Sequence, residues 1–161
     1  MPVDIFLKLD GIDGESLDFQ HTQEIDVTGW GWGMTQSGTT HMGAGAGGGK
    51  VSVQDLTVSK WVDKATPALH KHCCDGSHIA TATFTIRKAG GDAPVEYVVI
   101  ELEQVIVTSI MQGGSGEGDR LTETVTFNFA KYRYKYIQQM EDGSAGPESE
   151  QGWNIPVNET W

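Results

Sequence analysis

The chain has 161 residues, with 22 acidic and 11 basic side chains and a formal net charge of −11. Its length predicts a single domain over residues 1–161, because domains usually hold on the order of 150 residues. The acidic balance excludes the basic face that nucleic-acid binding requires. No apolar run reaches the ~18 residues of a membrane-spanning helix, so we expect neither nucleic acid nor a membrane as a partner.

The start of the chain and its cysteines indicate where the protein is made. Residues 1–5 contain no basic segment followed by an apolar one, so we expect no cleavable signal peptide. The two cysteines, Cys73 and Cys74, are adjacent and do not form a disulfide framework. This usage is typical of a protein made in a reducing cytoplasm.

Alternation of apolar and polar residues with a period of two dominates the chain and predicts β-strands. In chain order, the predicted strands cover residues 4–9, 24–28, 51–58, 80–87, 95–103, 105–110, 124–129 and 132–136. The alternation slips near Gln54 and Asp55, which indicates a bulge in that strand. Residues 95–103 and 105–110 are either two strands or one long bent strand.

Glycine-rich and acidic segments separate the predicted strands. Residues 10–15 predict an acidic loop, residues 89–92 a hairpin turn, and residues 112–119 a longer flexible connection. Residues 33–50, rich in Gly, Thr and Ser, predict a long extended loop. Loops of this length are uncommon inside compact domains and are usually functional or disordered.

One segment, residues 66–74, breaks the alternation and predicts a helix of about two and a half turns. Thr66 is the expected N-cap, followed by Pro67 at the first helical position. Gly76 is expected to supply the left-handed residue that ends the helix. An earlier start, with Asp63 as the cap, is also open.

The C-terminal segment, residues 141–161, is acidic and has no Lys or Arg, yet it keeps Trp153 and Trp161. A purely solvated tail rarely carries two tryptophans, so we expect its final stretch to dock as a terminal strand. The whole pattern predicts a mainly β domain with eight to ten strands and one short helix. Short strands with glycine turns favour a barrel or a sandwich.

Residues 43–50 resemble a phosphate-binding loop, but their spacing fails. A P-loop requires glycine five residues before Gly49, where Ala44 stands, and Ser or Thr after Lys50, where Val51 stands. The segment also lies between predicted strands rather than at a strand-to-helix turn. We therefore interpret it as a flexible loop.

His70, His72, Cys73, Cys74 and His78 are crowded enough to suggest a metal or redox site. On a helix, however, residues two apart point about 200° apart. His70 and Cys74 can share a face, but two ligands do not complete a zinc site. Neither cysteine has the orienting partner of a nucleophile. We therefore predict no catalytic residues, no metal, no cofactor and no enzyme activity, and keep a metal or redox enzyme as a distant alternative.

Trp30 and Trp32 lie two residues apart, so on a strand they face the same side, with Gly31 on the other. Exposed, the two indoles could stack on a sugar ring, as in a carbohydrate-binding β-module. Buried, they belong to the core, which is the commoner use of tryptophan in a small β domain. An acidic β domain with a long loop and no catalytic constellation favours a structural or assembly protein.

Several short motifs, each weak alone, occur in an order and spacing that resemble one known family. They are residues 3–8, 14–16, His21, 24–27, WGWG at 30–33, VQDL at 53–56, DKATP at 63–67, 86–91, 113–115 and GWNI at 152–155. This chain resembles, over nearly its whole length, the Hcp (haemolysin-coregulated) proteins, which form the inner tube of bacterial type VI secretion systems.

The resemblance implies a two-sheet β-barrel-like domain with one short α-helix at its side and a long extended loop, similar to phage tail-tube proteins. It implies homohexameric rings that stack into a tube, capped by a spike protein and wrapped by a contractile sheath. Contraction expels the tube with effectors carried in the ring lumen. The protein is then made in the cytoplasm and secreted without a cleaved signal peptide.

Two regions are the expected sites of assembly and cargo contact. The loop at residues 33–50 is expected to reach the adjacent ring. Its stacking residues would be Thr39, Thr40, His41, Met42, Gly43, Gly45, Gly47 and Gly48. The family often has serine between the two tryptophans, on a lumen-facing strand. Here Gly31 stands at that position, which removes a hydroxyl where cargo would touch.

Overall fold

A computed structural model of the chain describes residues 3–38, 50–88 and 94–161. The described chain is mainly β, as the alternation predicts, because β-branched and aromatic residues fill its strands. The elements in chain order are β1 (Val3–Leu9), β2 (Ile25–Gly31), β3 (Met34–Gln36), β4 (Val51–Val53), β5 (Leu56–Trp61), α1 (Thr66–Asp75), β6 (Ile79–Lys88), β7 (Glu96–Gly113), β8 (Thr122–Asn128), β9 (Lys131–Gln139), β10 (Ala145–Asn154) and β11 (Glu159–Thr160).

Six strands close into a barrel in the order β7-β6-β1-β2-β5-β8, and β8 returns to pair with β7. Every strand pair in this ring is antiparallel. Strands β9, β10 and β11 extend the sheet beyond β7, and β3 with β4 forms a separate two-stranded ribbon. The barrel with one helix confirms the predicted fold class. The described residues include no helix long and apolar enough to cross a bilayer.

Strand β7 settles the choice between two strands and one long bent strand, because it runs without a break over 18 residues. Gln104 has a φ of 54°, a left-handed conformation that is uncommon outside glycine and marks the bend. The first half of β7 pairs with β6 and β9, and the second half pairs with β8. One strand therefore both closes the barrel and carries the extension.

The core fills the barrel with the inward-facing residues of the alternating strands. Its fully buried members include Leu7, Ile25, Leu56, Val58, Phe84, Ile100, Val125 and Phe127. Helix α1 adds Leu69, which is also fully buried. Burying each such side chain contributes about 1.5–3 kcal/mol, so this single core is the main source of stability.

The start of α1 differs from the prediction. Ala65 precedes the helix and Thr66 is its first residue, so Thr66 is not the N-cap. Its hydroxyl instead donates a hydrogen bond of 2.7 Å to Glu123 in the barrel. The Asp63 carboxylate accepts the Ala65 N–H at 3.0 Å, so the alternative with Asp63 is nearer to the observed start. The predicted end is confirmed, since Gly76 has a φ of 70°.

Residues 51–58 do not form one bulged strand. Strand β4 ends at Val53 and β5 begins at Leu56, and the two belong to different sheets. The chain changes sheets at Asp55, whose carboxylate binds Asn128 at 2.9 Å and Thr108 at 2.7 Å. The phase slip in the sequence therefore marks a crossing between sheets rather than a bulge.

The C-terminal prediction is confirmed, and the ordered part is longer than expected. Strand β10 occupies half of the acidic segment, and β11 pairs with its end. Gly152 is essential there, because a Cβ at this position would lie 2.5 Å from the Trp161 carbonyl oxygen and 2.9 Å from that of Tyr132. The predicted hairpin turn at residues 89–92 lies outside the described residues.

An ion pair inside the barrel joins the neighbouring strands β5 and β8. The Lys60 ammonium contacts the Glu123 carboxylate, and both side chains are completely buried. Lys60 also donates to Asp63 and to the Trp61 carbonyl, each at 2.9 Å. Glu123 accepts from Thr66 and, at 3.0 Å, from Gln112 of β7. These bonds tie the helix start to three barrel strands.

Removing one partner of this pair is expected to destabilise the fold strongly. Lys60→Met leaves the Glu123 and Asp63 carboxylates buried without their cation, which should lower the free energy of unfolding by about 3–5 kcal/mol. Adding Glu123→Gln removes one unpaired charge and keeps amide hydrogen bonds, so the double variant should regain part of the loss. Urea unfolding at one protein concentration measures each value.

The matched control is Lys71→Met on the exposed surface of α1. It should stay within about 0.5 kcal/mol of the parent chain, as surface substitutions usually do. A Lys60→Met variant as stable as this control would contradict the assigned role of the pair.

Candidate assembly surfaces

The outer surface formed by β2 beyond Val27, β5, β8 and the second half of β7 is uncharged. Strand registers place on it Gly29, Gly31, Thr57, Ser59, Trp61, Ser109, Met111, Gly113, Thr122, Thr124 and Thr126. None of these side chains is ionisable, although the chain carries 33 charged residues. We call this surface the hydroxyl face. Charged groups border it at its two ends. Asp55 lies at one end, and at the other are the exposed Asp26 and Arg120, which stacks 4.5 Å from the Trp61 ring centroid.

Gly31 ends β2 and lies on the hydroxyl face opposite Thr57. A Cβ added to Gly31 would have no atom within 4 Å, so the position is open. Its backbone is not in the left-handed region, and a larger residue would fit there without strain. The role of this position in cargo contact stays a prediction.

The outer surface around β7 and β9 has the opposite character. Lys131 lies 3.7 Å from Glu103, and Arg133 lies 3.9 Å from Glu101 and 3.1 Å from Glu150. We call this ladder of ion pairs the charged face. The described chain therefore presents one uncharged and one charged sheet surface.

The four strands of the hydroxyl face have two open edges. Strand β1 pairs with β2 only as far as Asp26, so β2 beyond Val27 has β5 as its one strand neighbour among the described residues. Strand β7 beyond Val105 has β8 as its one strand neighbour within the same ranges. Unpaired strand edges can accept a further strand.

The two tryptophans occupy different surroundings. Trp30 pairs with the buried Val58 and packs 5.1 Å from the core ring of Phe84, although 39% of it is exposed. Trp32 lies beyond the end of β2, so it does not share a strand face with Trp30. The expectation of core packing is thus met in part by both residues, since Trp32 is partly buried and packs against the core at Phe129 and Tyr132.

Trp32 anchors the β3–β4 ribbon against the extension of the sheet. Its ring centroid lies 4.9 Å from Tyr132, 6.1 Å from Phe129 and 6.5 Å from Tyr134. Its indole N–H donates to the Gln54 carbonyl at 2.9 Å. Burial raises the pKa of both tyrosines. Because the Trp32 indole packs against these aromatic rings, it does not form a flat exposed pair with Trp30.

The predicted stacking residues, 39–48, lie outside the described residues. The described residues next to them are not wholly loop, which corrects the prediction of a loop over all of residues 33–50. Met34–Gln36 pairs with Val51–Val53 as an antiparallel ribbon. The two strands of this ribbon therefore lie on either side of the predicted stacking residues in the sequence.

The histidines and cysteines near α1 do not converge. His70, Cys74 and His78 are exposed, and the ring of His72 bonds the Ala68 carbonyl at 2.8 Å. Cys73 packs in part against the core. Across residues 3–38, 50–88 and 94–161, no group of three or more His, Cys, Asp or Glu is arranged to hold a metal.

The loop between β1 and β2, of which the sequence predicted residues 10–15, is firmly anchored. Residues 10–24 join β1 to β2, and the Asp18 carboxylate accepts two hydrogen bonds, of 2.9 and 2.5 Å, from the Arg87 guanidinium. The hydrogen bond from Arg87 lowers the pKa of Asp18 from 3.8 to about 2. The flanking Leu17 and Phe19 are 91% and 73% exposed. In the sequence, residues 10–15 predicted a loop and residues 14–16 and His21 belong to the family motifs, but no pattern indicated the contact between Asp18 and Arg87.

The sequence matches proteins of one known family over most of its length. Residues 6–136 match the family model described as "Type VI secretion system effector, Hcp". The protein hcp1 of Pseudomonas aeruginosa is 52% identical over 159 residues, which cover 98% of each chain.

Solved structures agree with the sequence comparison. A type six secretion system protein superposes with a TM-score of 0.92 at 31% identity, covering 99% of this chain and 100% of that one. Hcp1 from Salmonella typhimurium gives 0.84 at 37% identity with complete coverage of both chains. A type VI secretion system effector from Yersinia pestis gives 0.75 at 34% identity, covering 94% and 100%. The barrel, its extension and these likenesses together show that the chain belongs to the Hcp family of type VI secretion proteins.

Proposed function

We propose that this chain is the structural tube subunit of a bacterial type VI secretion system. Copies close into homohexameric rings, the rings stack into a tube, and sheath contraction expels the tube. Its partners are then further copies of itself, the spike protein, the contractile sheath and effectors carried in the lumen. The chain is secreted from the cytoplasm without a cleaved signal peptide and acts as a structural protein rather than an enzyme.

The contrast between the hydroxyl face and the charged face carries this proposal. A ring has one wall toward its lumen and another toward its surroundings, and the two need different chemistry. An uncharged wall lets cargo of either charge sign pass without strong attraction or repulsion, because unscreened charges act over several ångströms. We place the hydroxyl face, with Gly31, toward the lumen.

The two open edges of the hydroxyl-face sheet support ring closure. A cyclic ring needs a heterologous interface, in which two different surfaces of one subunit meet their complements on its neighbours. The edge of β2 beyond Val27 and the edge of β7 beyond Val105 are different surfaces that belong to one sheet. A neighbour that joins them would satisfy backbone groups that an edge leaves open.

Ring formation is tested by the solution mass and by negative-stain images of the purified protein. The proposal expects a mass of about six times the 17.5 kDa protomer and six-fold rings. A monomer whose tryptophan fluorescence responds to glycans would instead support the alternative of a carbohydrate-binding β-module that uses Trp30 and Trp32. The packing of Trp32 in an aromatic cluster disfavours that alternative.

Ring stacking is tested by deleting residues 39–48. If this segment reaches the adjacent ring, the variant should keep the hexamer mass and lose the tubes seen by electron microscopy. The ribbon at its base remains, since Met34–Gln36 and Val51–Val53 are untouched. Intact tubes from the deletion variant would refute the assignment of the stacking loop, and the hexamer mass controls for misfolding.

The lumen assignment is tested by cysteine labelling in a Cys73→Ala, Cys74→Ala background. Gly31→Cys fits the open position, and a small maleimide should label it readily. A long polyethylene glycol maleimide should label it several times more slowly in assembled rings, because the lumen restricts a bulky chain. Leu17→Cys, at a site that is 91% exposed, is the control. Equal rates at the two positions would place Gly31 outside the lumen.

A further inference from the structure

Lys64 donates hydrogen bonds to Glu15 and Gln23 of the loop at residues 10–24. The loop also folds back over the outer surface of β1 and β6 and is held there at two points. One is the Asp18–Arg87 contact. The other is His21, which is buried to 7% exposure although it lies on a surface loop. Its ring stacks on Phe6 of β1 with a centroid distance of 4.3 Å and an interplanar angle of 10°.

Both ring nitrogens of His21 face carboxylates. Nδ1 lies 2.9 Å from Glu24 Oε2 within the loop, and Nε2 lies 2.7 Å from Glu96 Oε1 at the start of β7. A neutral imidazole has one N–H and can donate to one carboxylate only. The imidazolium donates to both, so the two contacts are hydrogen bonds together only in the protonated ring.

The charged groups around His21 are mostly carboxylates. The groups that face His21 from the loop and from β1, β6 and β7 are Glu24, Asp18, Asp4, Arg87 and Glu96. The single cation among them, Arg87, is already engaged by Asp4 and Asp18. Glu24 and Glu96 remain for the ring.

We propose that His21 is a pH-sensitive latch, which fastens the 10–24 loop to the barrel when its ring is protonated and loosens it when the proton leaves. Histidine is the side chain whose charge changes in the physiological pH range, so the latch tightens as the pH falls and loosens as the pH rises. The Asp18–Arg87 contact does not change in this range, because the pKa of Asp18 is about 2. The latch thus controls how rigidly the loop presents Leu17 and Phe19.

Backbone amide exchange of the loop tests the latch in the full chain. The Ser16, Gln23 and Glu24 amides donate to carbonyls inside the loop, so their protection reports its opening. Protection, corrected for the intrinsic pH dependence of exchange, should be about fivefold greater at pH 5.5 than at pH 8, as expected when a charge-assisted bond replaces a neutral one. His21→Gln, whose amide does not titrate, should abolish this difference, and the exposed His78→Gln should retain it.

Three results would overturn the proposal: equal protection at the two pH values in the parent chain, a pH effect that survives in His21→Gln, or one that is lost in His78→Gln. If His21→Gln does not fold, Glu96→Gln decides, because it removes one carboxylate from β7 and should reduce the pH effect. Light scattering at both pH values shows whether the assembly state changes. The readout is local to the loop, so it stands apart from the proposed ring.

Discussion

The ion pair between Lys60 and Glu123 is the constraint on which the other surfaces depend. These two residues are direct cross-strand partners of β5 and β8, and both point into the barrel. A slip of one residue would turn their charges outward and bring threonines into the core, because strand side chains alternate between faces. Fixing the ions inside therefore fixes Thr57, Ser59, Thr124 and Thr126 outside. The inward position of this ion pair therefore leaves uncharged side chains on the outer surface of the same strands.

Strand β7 contributes to both the charged face and the hydroxyl face. Its bend at Gln104 separates a half that carries the ion-pair ladder with β9 from a half that completes the hydroxyl face with β8. The same strand thus contributes Glu101 and Glu103 to one surface and Ser109 and Met111 to the other. Two such unlike walls are compatible with the proposed ring, in which the lumen and the outside need different chemistry.

The strands, the end of α1 and the docked tail could be predicted from the sequence, because alternation, Gly76 and the late tryptophans are local signals. The features that the sequence did not predict depend on contacts between residues that are distant in the chain. Thr66 looked like a cap, but Glu123, 57 residues away, takes its hydroxyl. His21 and Glu96 are 75 residues apart, and Asp18 and Arg87 are 69 apart. No period or spacing links such pairs, so the sequence predicted a loop at residues 10–15 but neither its anchoring nor the exposure of Leu17 and Phe19.

The Lys60–Glu123 cluster and the His21 cluster both pair a cationic or ionisable side chain with carboxylates, but they differ in exposure to solvent. Lys60 and Glu123 have no exposed side-chain surface, and Thr66 and Gln112 complete the bonds of the carboxylate, so protons reach the pair only if the barrel opens. His21 lies at the rim, and the side chain of its partner Glu96 is 35% exposed. Solvent protons can therefore reach this cluster while the barrel stays closed. Burial makes the first cluster a fixed support of the fold, and partial exposure makes the second one responsive to pH without affecting the core.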